Sequence, residues 1–264
     1  MSGVQIACLR SAFAAIALLA ILPEARRNWN WRVCLLAVAY ALTLIAFAMA
    51  TKLTTSASAI FLQNTAPVYI LALAAVLLDE KPARSDLLLM VPLALGMALF
   101  FASTEQAAGT APNPGLGNIF AAFSGLFWAI VVVGFRWLSR SEGESGSQAT
   151  AALGNALAFL FCLPFAWPLP SGRAVDWTVL GALGIFQIAL PYVLLGIAMK
   201  QVRALEASLL LLLEPVLNPL WTWLVYRERP GNMALAGGVL IISATAVKTW
   251  WSSRSPGPSV TARA

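Results

Sequence analysis

The sequence predicts an all-α, polytopic integral membrane protein assembled from two related halves. Three observations carry that prediction. Of its 264 residues, 60% are apolar and only 11% charged, with a mean hydropathy of +0.80, whereas a soluble chain carries about 25% charged residues. The apolar residues form continuous runs of near-spanning length, the pattern of membrane helices rather than of the alternating strands of a closed β-barrel. The third is a repeat at a constant offset of 148 residues: Lys52 pairs with Lys200, Ala59 with Ala207, Leu62 with Leu210, Pro67-Val68 with Pro215-Val216, Glu80 with Glu228, Lys81 with Arg229 and Pro82 with Pro230. Internal repeats in a hydrophobic chain are the usual construction of secondary transporters.

The runs predict nine transmembrane helices. The first spans Gln5–Leu22 and ends in Leu-Pro-Glu-Ala-Arg-Arg. Positive charge after the run and the lack of a small-x-small cleavage site argue against a signal peptide. The next eight run over Val33–Ala50, Ser56–Leu78, Leu87–Ala102, Leu116–Leu138, Ala149–Leu169, Trp177–Met199, Leu205–Tyr226 and Met233–Trp251. Most linkers are short. Ser103–Gly115, Ser139–Gln148 and the tail from Ser252 are long enough to be mobile, and their Gly, Pro, Ser and Ala content reads as loop.

Moved back by 148 residues, the run Ala149–Leu169 falls on the first helix, and Leu116–Leu138 falls about thirty residues before Met1. A five-helix unit crosses the membrane an odd number of times, so two in series have opposite orientation. The expected parent is a ten-helix, 5+5 inverted repeat whose opening helix is missing here. The segments are then 1–102 for the first repeat, 103–117 for an external linker, 118–251 for the second repeat and 252–264 for a cytoplasmic tail.

Lys and Arg set the expected orientation. With Arg26, Arg27 and Arg32 inside, the same side collects Lys81, Arg84, Arg136, Arg140, Lys200, Arg203, Lys248, Arg254 and Arg263, leaving Arg10, Lys52, Arg173, Arg227 and Arg229 outside. The tail is therefore expected in the cytoplasm of a multi-pass cell (inner) membrane protein. Trp29, Trp31, Trp137, Trp167, Trp177, Trp250 and Trp251 lie near helix ends, as an interfacial belt requires. The net charge of +6 is spent on topology and does not imply nucleic acid.

Several chemistries are excluded as usually built. There is no histidine, hence no His relay, His metal site or Ser-His or Cys-His pair. No paired-aspartate cluster and no phosphate loop occurs, so the chain carries no ATPase of its own. Cys8, Cys34 and Cys162 match no ligand spacing and read as buried small apolar residues. No cofactor is expected.

Ala-x-Lys, a Ser/Ala-rich segment, Pro-Val inside an apolar helix, Glu-[Lys/Arg]-Pro and then a Gly-bearing helix together resemble the EamA-type drug/metabolite transporter superfamily. Asp79-Glu80 and Arg227-Glu228 hold that family's acidic position, Gly96 and Gly237-Gly238 its helix glycines, and Leu9-Arg10-Ser11-Ala12-Phe13 its Arg-bearing second helix. The resemblance covers essentially the whole chain. It implies a transporter with a central cavity lined by helices of both repeats, and it is not specific for substrate.

Candidate site residues follow from what a membrane core tolerates. A proline removes the hydrogen bond to the carbonyl four residues back, so Pro67 frees Gln63, Pro191 frees Gln187 and Pro215 frees Leu211. Such carbonyls can bind solute or let a helix flex, or the kink serves packing alone. Glu214 lies about ten residues into an apolar run, near the midplane, where a carboxylate must be protonated, paired or hydrated; Asn218 follows one turn later on the same face. Gln63 and Asn64 hold nearly corresponding depth in the first repeat. Arg10 is expected at the outer end of its helix, and Trp128, Tyr40, Thr43 and Gln187 are further mid-helix candidates. Structural hydrogen bonding competes with solute contact for Glu214, Gln63, Asn64 and Asn218, and helix packing does so for Trp128 and Tyr40. Glu80 and Glu228 are expected to cap helices or pair with neighbouring Lys or Arg.

The expected function is secondary transport of a small organic metabolite or drug by alternating access, as an exporter driven by an ion or solute gradient. The expected partners are a small-molecule substrate and the lipid bilayer, with no nucleic acid; a homodimer stays open. A non-transporting remnant or assembly partner is the alternative suggested by the missing helix. A membrane enzyme is the other, disfavoured by the lack of histidine and of catalytic motifs.

Overall fold

The computed structural model describes residues 3–27, 29–54, 56–80, 82, 84–102, 112–141, 144–169, 172–211, 213–214, 217 and 232–254. All regular structure among them is helical. α1 (Gly3–Ile21) closes in a short 3-10 turn (Pro23–Arg26), where the Arg26 guanidinium donates to the carbonyls of Leu19 and Ala20. Those last-turn carbonyls have no partner inside the helix. α2 (Trp31–Leu53) starts behind Asn30, whose side-chain oxygen accepts from the Arg32 and Val33 amides at 3.0 Å each, an N-cap satisfying two orphan donors.

The predicted helix Ser56–Leu78 is broken in two. α3 (Ser56–Gln63) stops and α4 (Ala66–Leu77) restarts with Pro67 in its first turn, where a missing amide costs nothing. Thr65 bridges the gap, its hydroxyl donating to the Leu62 carbonyl at 2.6 Å. α5 is Arg84–Ala102, α6 Pro114–Ser141 and α7 Glu144–Ala166. The predicted loop Ser139–Gln148 is thus mostly helix. Its small polar residues read as loop chemistry, yet Ser147 and Gln148 are buried, and small side chains such as Ser147 are what close helix packing in a membrane selects. The span 174–198 is one element in three registers: α8 (Ala174–Ala182), a π segment (Leu183–Ala189) and α9 (Leu190–Ala198), with Pro191 in the first turn of α9. α10 is Ala204–Leu211 and α11 Asn232–Arg254.

Five of these elements are long and apolar enough to cross a membrane: 4–21, 31–53, 114–141, 145–166 and 174–198, with shorter apolar helices at 66–77, 86–99 and 235–244. Most of the predicted helix Leu205–Tyr226 lies outside the described residues. The interior is largely apolar, but it also holds polar side chains, and large apolar side chains cover much of the surface. Ser11, Thr43, Ser124, Ser147, Thr150 and Asn155 are buried, whereas Val76, Phe165, Leu88 and Ile16 are more than 60% exposed. Among the cysteines, Cys8 is buried and Cys162 half-buried, but Cys34 is exposed near the start of α2, against the buried reading. An apolar thiol on a lipid-facing surface carries no cost that would force it inward.

The chain forms two compact units, residues 1–81 with 108–208 and residues 82–107 with 209–264. In the first, α2 packs on α6 and α7, α1 on α7 and the π segment, and α3 and α4 on α6. α1 and α7 are antiparallel, since Gln5 near the start of one donates to Ala166 and Pro168 at the end of the other. α2 and α6 are antiparallel too: Arg32 lies 4.7 Å over the Trp137 ring at one end, and Thr54 bonds Asn118 at 3.0 Å at the other. Glu80 binds Arg136 and Arg140 across the ends of α4 and α6, and its second oxygen accepts the Ala204 amide. Glu80, expected to cap a helix or to pair with a neighbouring Lys or Arg, meets the first amide of α10 and pairs across the fold with Arg136 and Arg140, while Lys81 lies outside the described residues. In the second unit α5 packs on α11, and a Cβ at Gly96 would lie 2.9 Å from the Gly237 carbonyl oxygen. Helix starts keep the 148-residue offset: Ser56 and Ala204 begin α3 and α10, Arg84 and Asn232 begin α5 and α11.

Candidate functional site

The polar and aromatic residues of the first unit converge where α1, α2, α6, α7 and the π segment meet. Tyr40 on α2 is 1% exposed. α7 comes this close because residue 154 is glycine: a Cβ there would be 2.7 Å from the Tyr40 ring. One residue on, the Asn155 amide donates to the Tyr40 hydroxyl at 3.0 Å and to the Ala151 carbonyl at 2.9 Å. Tyr40 also hydrogen-bonds Tyr192, their ring centroids 4.7 Å apart. Tyr192 stands edge-on to Trp128 at 5.8 Å and to Phe135 at 6.4 Å. Edge-to-face pairs of this kind fix ring orientation as well as burying area.

Arg10 enters the same neighbourhood from α1. It lies about two turns, roughly 10 Å, inside its helix, not at the outer end as expected, and its Nη1 donates to Gln187 Oε1 at 3.1 Å. Gly184 makes this reach possible: a Cβ there would be 2.8 Å from the Arg10 carbonyl and 2.6 Å from the Phe13 Cβ. With α1 pressed against the π segment, the guanidinium finds an acceptor at mid-span instead of bending back toward the interface. Tyr40 and Tyr192 lie within electrostatic range of Arg10. Arg10 Nε and Asn155 Oδ1 are buried with no hydrogen-bond partner among the described residues.

A second polar layer lies about one turn away on both α2 and α6. Gln63 donates to the Ser124 hydroxyl at 2.8 Å, and Ser124 donates to the Thr43 carbonyl at 3.1 Å. Ser124 precedes Trp128 by one turn and Thr43 follows Tyr40 by one turn, so the two layers form one seam between helices. Gly125 lets α6 approach the α3–α4 break, where a Cβ would meet the Leu62 and Gln63 carbonyls at 3.0 Å. Asn64 closes on its own helix, donating to the Ile60 carbonyl at 2.8 Å.

The structure thus brings Arg10, Gln187, Tyr40 and Trp128 into one cluster and places Gln63 in the adjoining layer. Glu214 is helical and exposed, in the second unit. Asn218, Pro215 and the segment with Arg227, Glu228, Arg229 and Pro230 lie outside the described residues. Tyr192, Asn155, Phe135 and Ser124 were not among the expected residues. Asn155 carried a signal, as a lone amide inside the run Ala149–Leu169; Tyr192 directly follows the kink proline Pro191. No group of three or more metal-ligating side chains occurs among the described residues.

The EamA-like transporter family matches residues 1–102 and 115–250. The chain is a member of the EamA-like transporter family. It is also 32% identical over 213 residues to an uncharacterized transporter of Archaeoglobus fulgidus, covering 79% of this chain and 72% of that protein. One solved crystal structure of a protein shares the fold, with a TM-score of 0.80 at 20% identity over 95% of this chain and 90% of that one. This EamA-like transporter is therefore a multi-pass membrane protein, and the seam described above is its polar interior.

Proposed function

We propose that this transporter moves a small organic metabolite or drug by alternating access, as a gradient-driven exporter in the plasma (inner) membrane with its C-terminus in the cytoplasm. The observation that carries the reading is the Arg10–Gln187–Tyr40–Tyr192–Trp128 cluster inside a bundle whose outer surface is apolar. An ionisable side chain such as Arg10 within a membrane span is costly and marks a solute path by default. The breaks at Asn64–Thr65 and the π segment before Pro191 supply backbone that can flex around such a site. The symmetry that would exchange inward- and outward-facing states is the inverted repeat, with 1–102 opposed to 118–251 across an external linker. The 148-residue spacing of helix starts supports it. Glu214, a carboxylate inside an apolar run, is the group assigned to coupling. Asn218, Asn64 and the kink prolines Pro67, Pro191 and Pro215 complete the proposed path.

A growth-protection and accumulation screen tests this. Cells expressing the full chain are challenged with amino acids, nucleobases and toxic compounds. Lowered internal accumulation of at least one class, absent in cells without the chain, is the expected result. Unchanged accumulation across the panel, with the protein present in the membrane, would contradict it.

A further inference from the structure

We propose that Arg10 is the solute-binding cation of this transporter, and that the solute carries a carboxylate next to a flat apolar body. The inference rests on the transport reading above and adds the charge class. An arginine stays protonated under all physiological conditions. Here it lies two turns inside a membrane-spanning helix, and its side-chain hydrogen-bond partner among the described residues, the Gln187 amide, is neutral. Among the described residues no carboxylate pairs with it; Glu80 is engaged by Arg136 and Arg140, and Glu206 by Arg203. A formal charge held at that depth with a neutral partner favours an anion beside it.

The geometry of the guanidinium supports a fork-shaped ligand. Nη1 is committed to Gln187, whereas the buried Nε makes no hydrogen bond. Nε and the remaining terminal nitrogen form the edge that donates in parallel to two carboxylate oxygens. The apolar body has its own receptor. Trp128 and Tyr192 are half-buried rings held edge-to-face at 5.8 Å, and Tyr192 is fixed in turn by Tyr40 and Phe135. Rings oriented by their neighbours lose little freedom when a planar group stacks on them.

Binding to the purified full chain in detergent tests the assignment with a matched triplet sharing one ring and tether: 3-phenylpropionate, 3-phenylpropanamide and 3-phenylpropylamine. Tryptophan fluorescence and thermal stabilisation report binding. The acid should bind at least about ten-fold more tightly than the amide, with the amine weakest. Arg10→Gln should level the three, and Arg10→Lys should keep a weakened preference for the acid. Equal binding of all three to the wild type, no binding of any, or an unchanged preference in a folded Arg10→Gln protein would overturn it. The wild-type ratio decides the matter even if Arg10→Gln fails to fold. Acid-selective binding without exchange in proteoliposomes would instead count against transport while leaving the Arg10 assignment standing.

Discussion

Glu80 and Arg136 lie 56 residues apart and meet at 3.0 Å, with side chains 8% and 14% exposed. The same Arg136 donates to the carbonyls of Met199 and Lys200, so one guanidinium ties the ends of α4, α6 and α9 together. Removing one partner of such a pair strands the other charge. Glu80→Gln should lower stability by about 3 kcal/mol; Arg136→Met should cost less, because Glu80 keeps Arg140 as a partner, and the double variant should lose less than the sum. Denaturation in detergent micelles checks it; additive losses would mean that the two residues act independently.

Tyr40 is held by Gly154 from one side and Tyr192 from the other. Any Cβ at 154 falls within 2.8 Å of three Tyr40 atoms. Gly154→Val should cost about 1–3 kcal/mol through overpacking and should disturb solute binding as well, because Tyr40 orients Tyr192. A Gly154→Val protein with unchanged thermal stability would show that α2 and α7 can separate freely.

The bond between Gln63 and Ser124 predicts a smaller effect. Interhelical hydrogen bonds in membranes are worth about 0.6 kcal/mol on average. Ser124→Ala should therefore change the melting temperature only slightly while loosening the α3–α4 break against α6. Faster hydrogen exchange at residues 60–66, with little loss of global stability, is the expected signature; uniform exchange changes along the chain would contradict it.

The orientation prediction comes from the twelve-to-five division of Lys and Arg. The antiparallel pairs α1–α7 and α2–α6 fit the alternation. In a cysteine-free background, an impermeant maleimide applied to intact cells should label a cysteine at Ala108 and spare one at Ser145. The reverse pattern would invert the topology.

What the sequence could and could not reveal has a physical basis. Hydrophobic run length is a one-dimensional property set by bilayer thickness, so the described spans, the broken Ser56–Leu78 apart, were legible within a few residues. Pro67 and Pro191 announced where helices would depart from regularity. They could not announce the form, a two-residue break in one case and a π segment in the other, because that depends on which backbone approaches. Gly125 and Gly184 decide it by admitting α6 and α1. The Ser139–Gln148 stretch misled because small polar residues serve loops in water and helix contacts in membranes. Arg10 was recognised as a candidate, but its depth was not. Only the closeness of α1 to the π segment shows that Gln187 draws it inward. Tyr192 and Asn155 were missed because their importance lies in whom they touch, 152 and 115 residues from Tyr40.

The central claim, gradient-driven transport, is tested most directly in proteoliposomes containing the full chain. A solute identified in the accumulation screen would be measured under an imposed pH gradient, for the wild type and for Glu214→Gln. The account predicts concentrative movement by the wild type that collapses when the gradient is dissipated. It predicts a folded Glu214→Gln protein that has lost gradient-driven transport yet still exchanges solute for solute. Equal gradient-driven transport by wild type and Glu214→Gln, with the same pH profile, would contradict the coupling role; no solute movement by the wild type under any gradient would contradict the function itself.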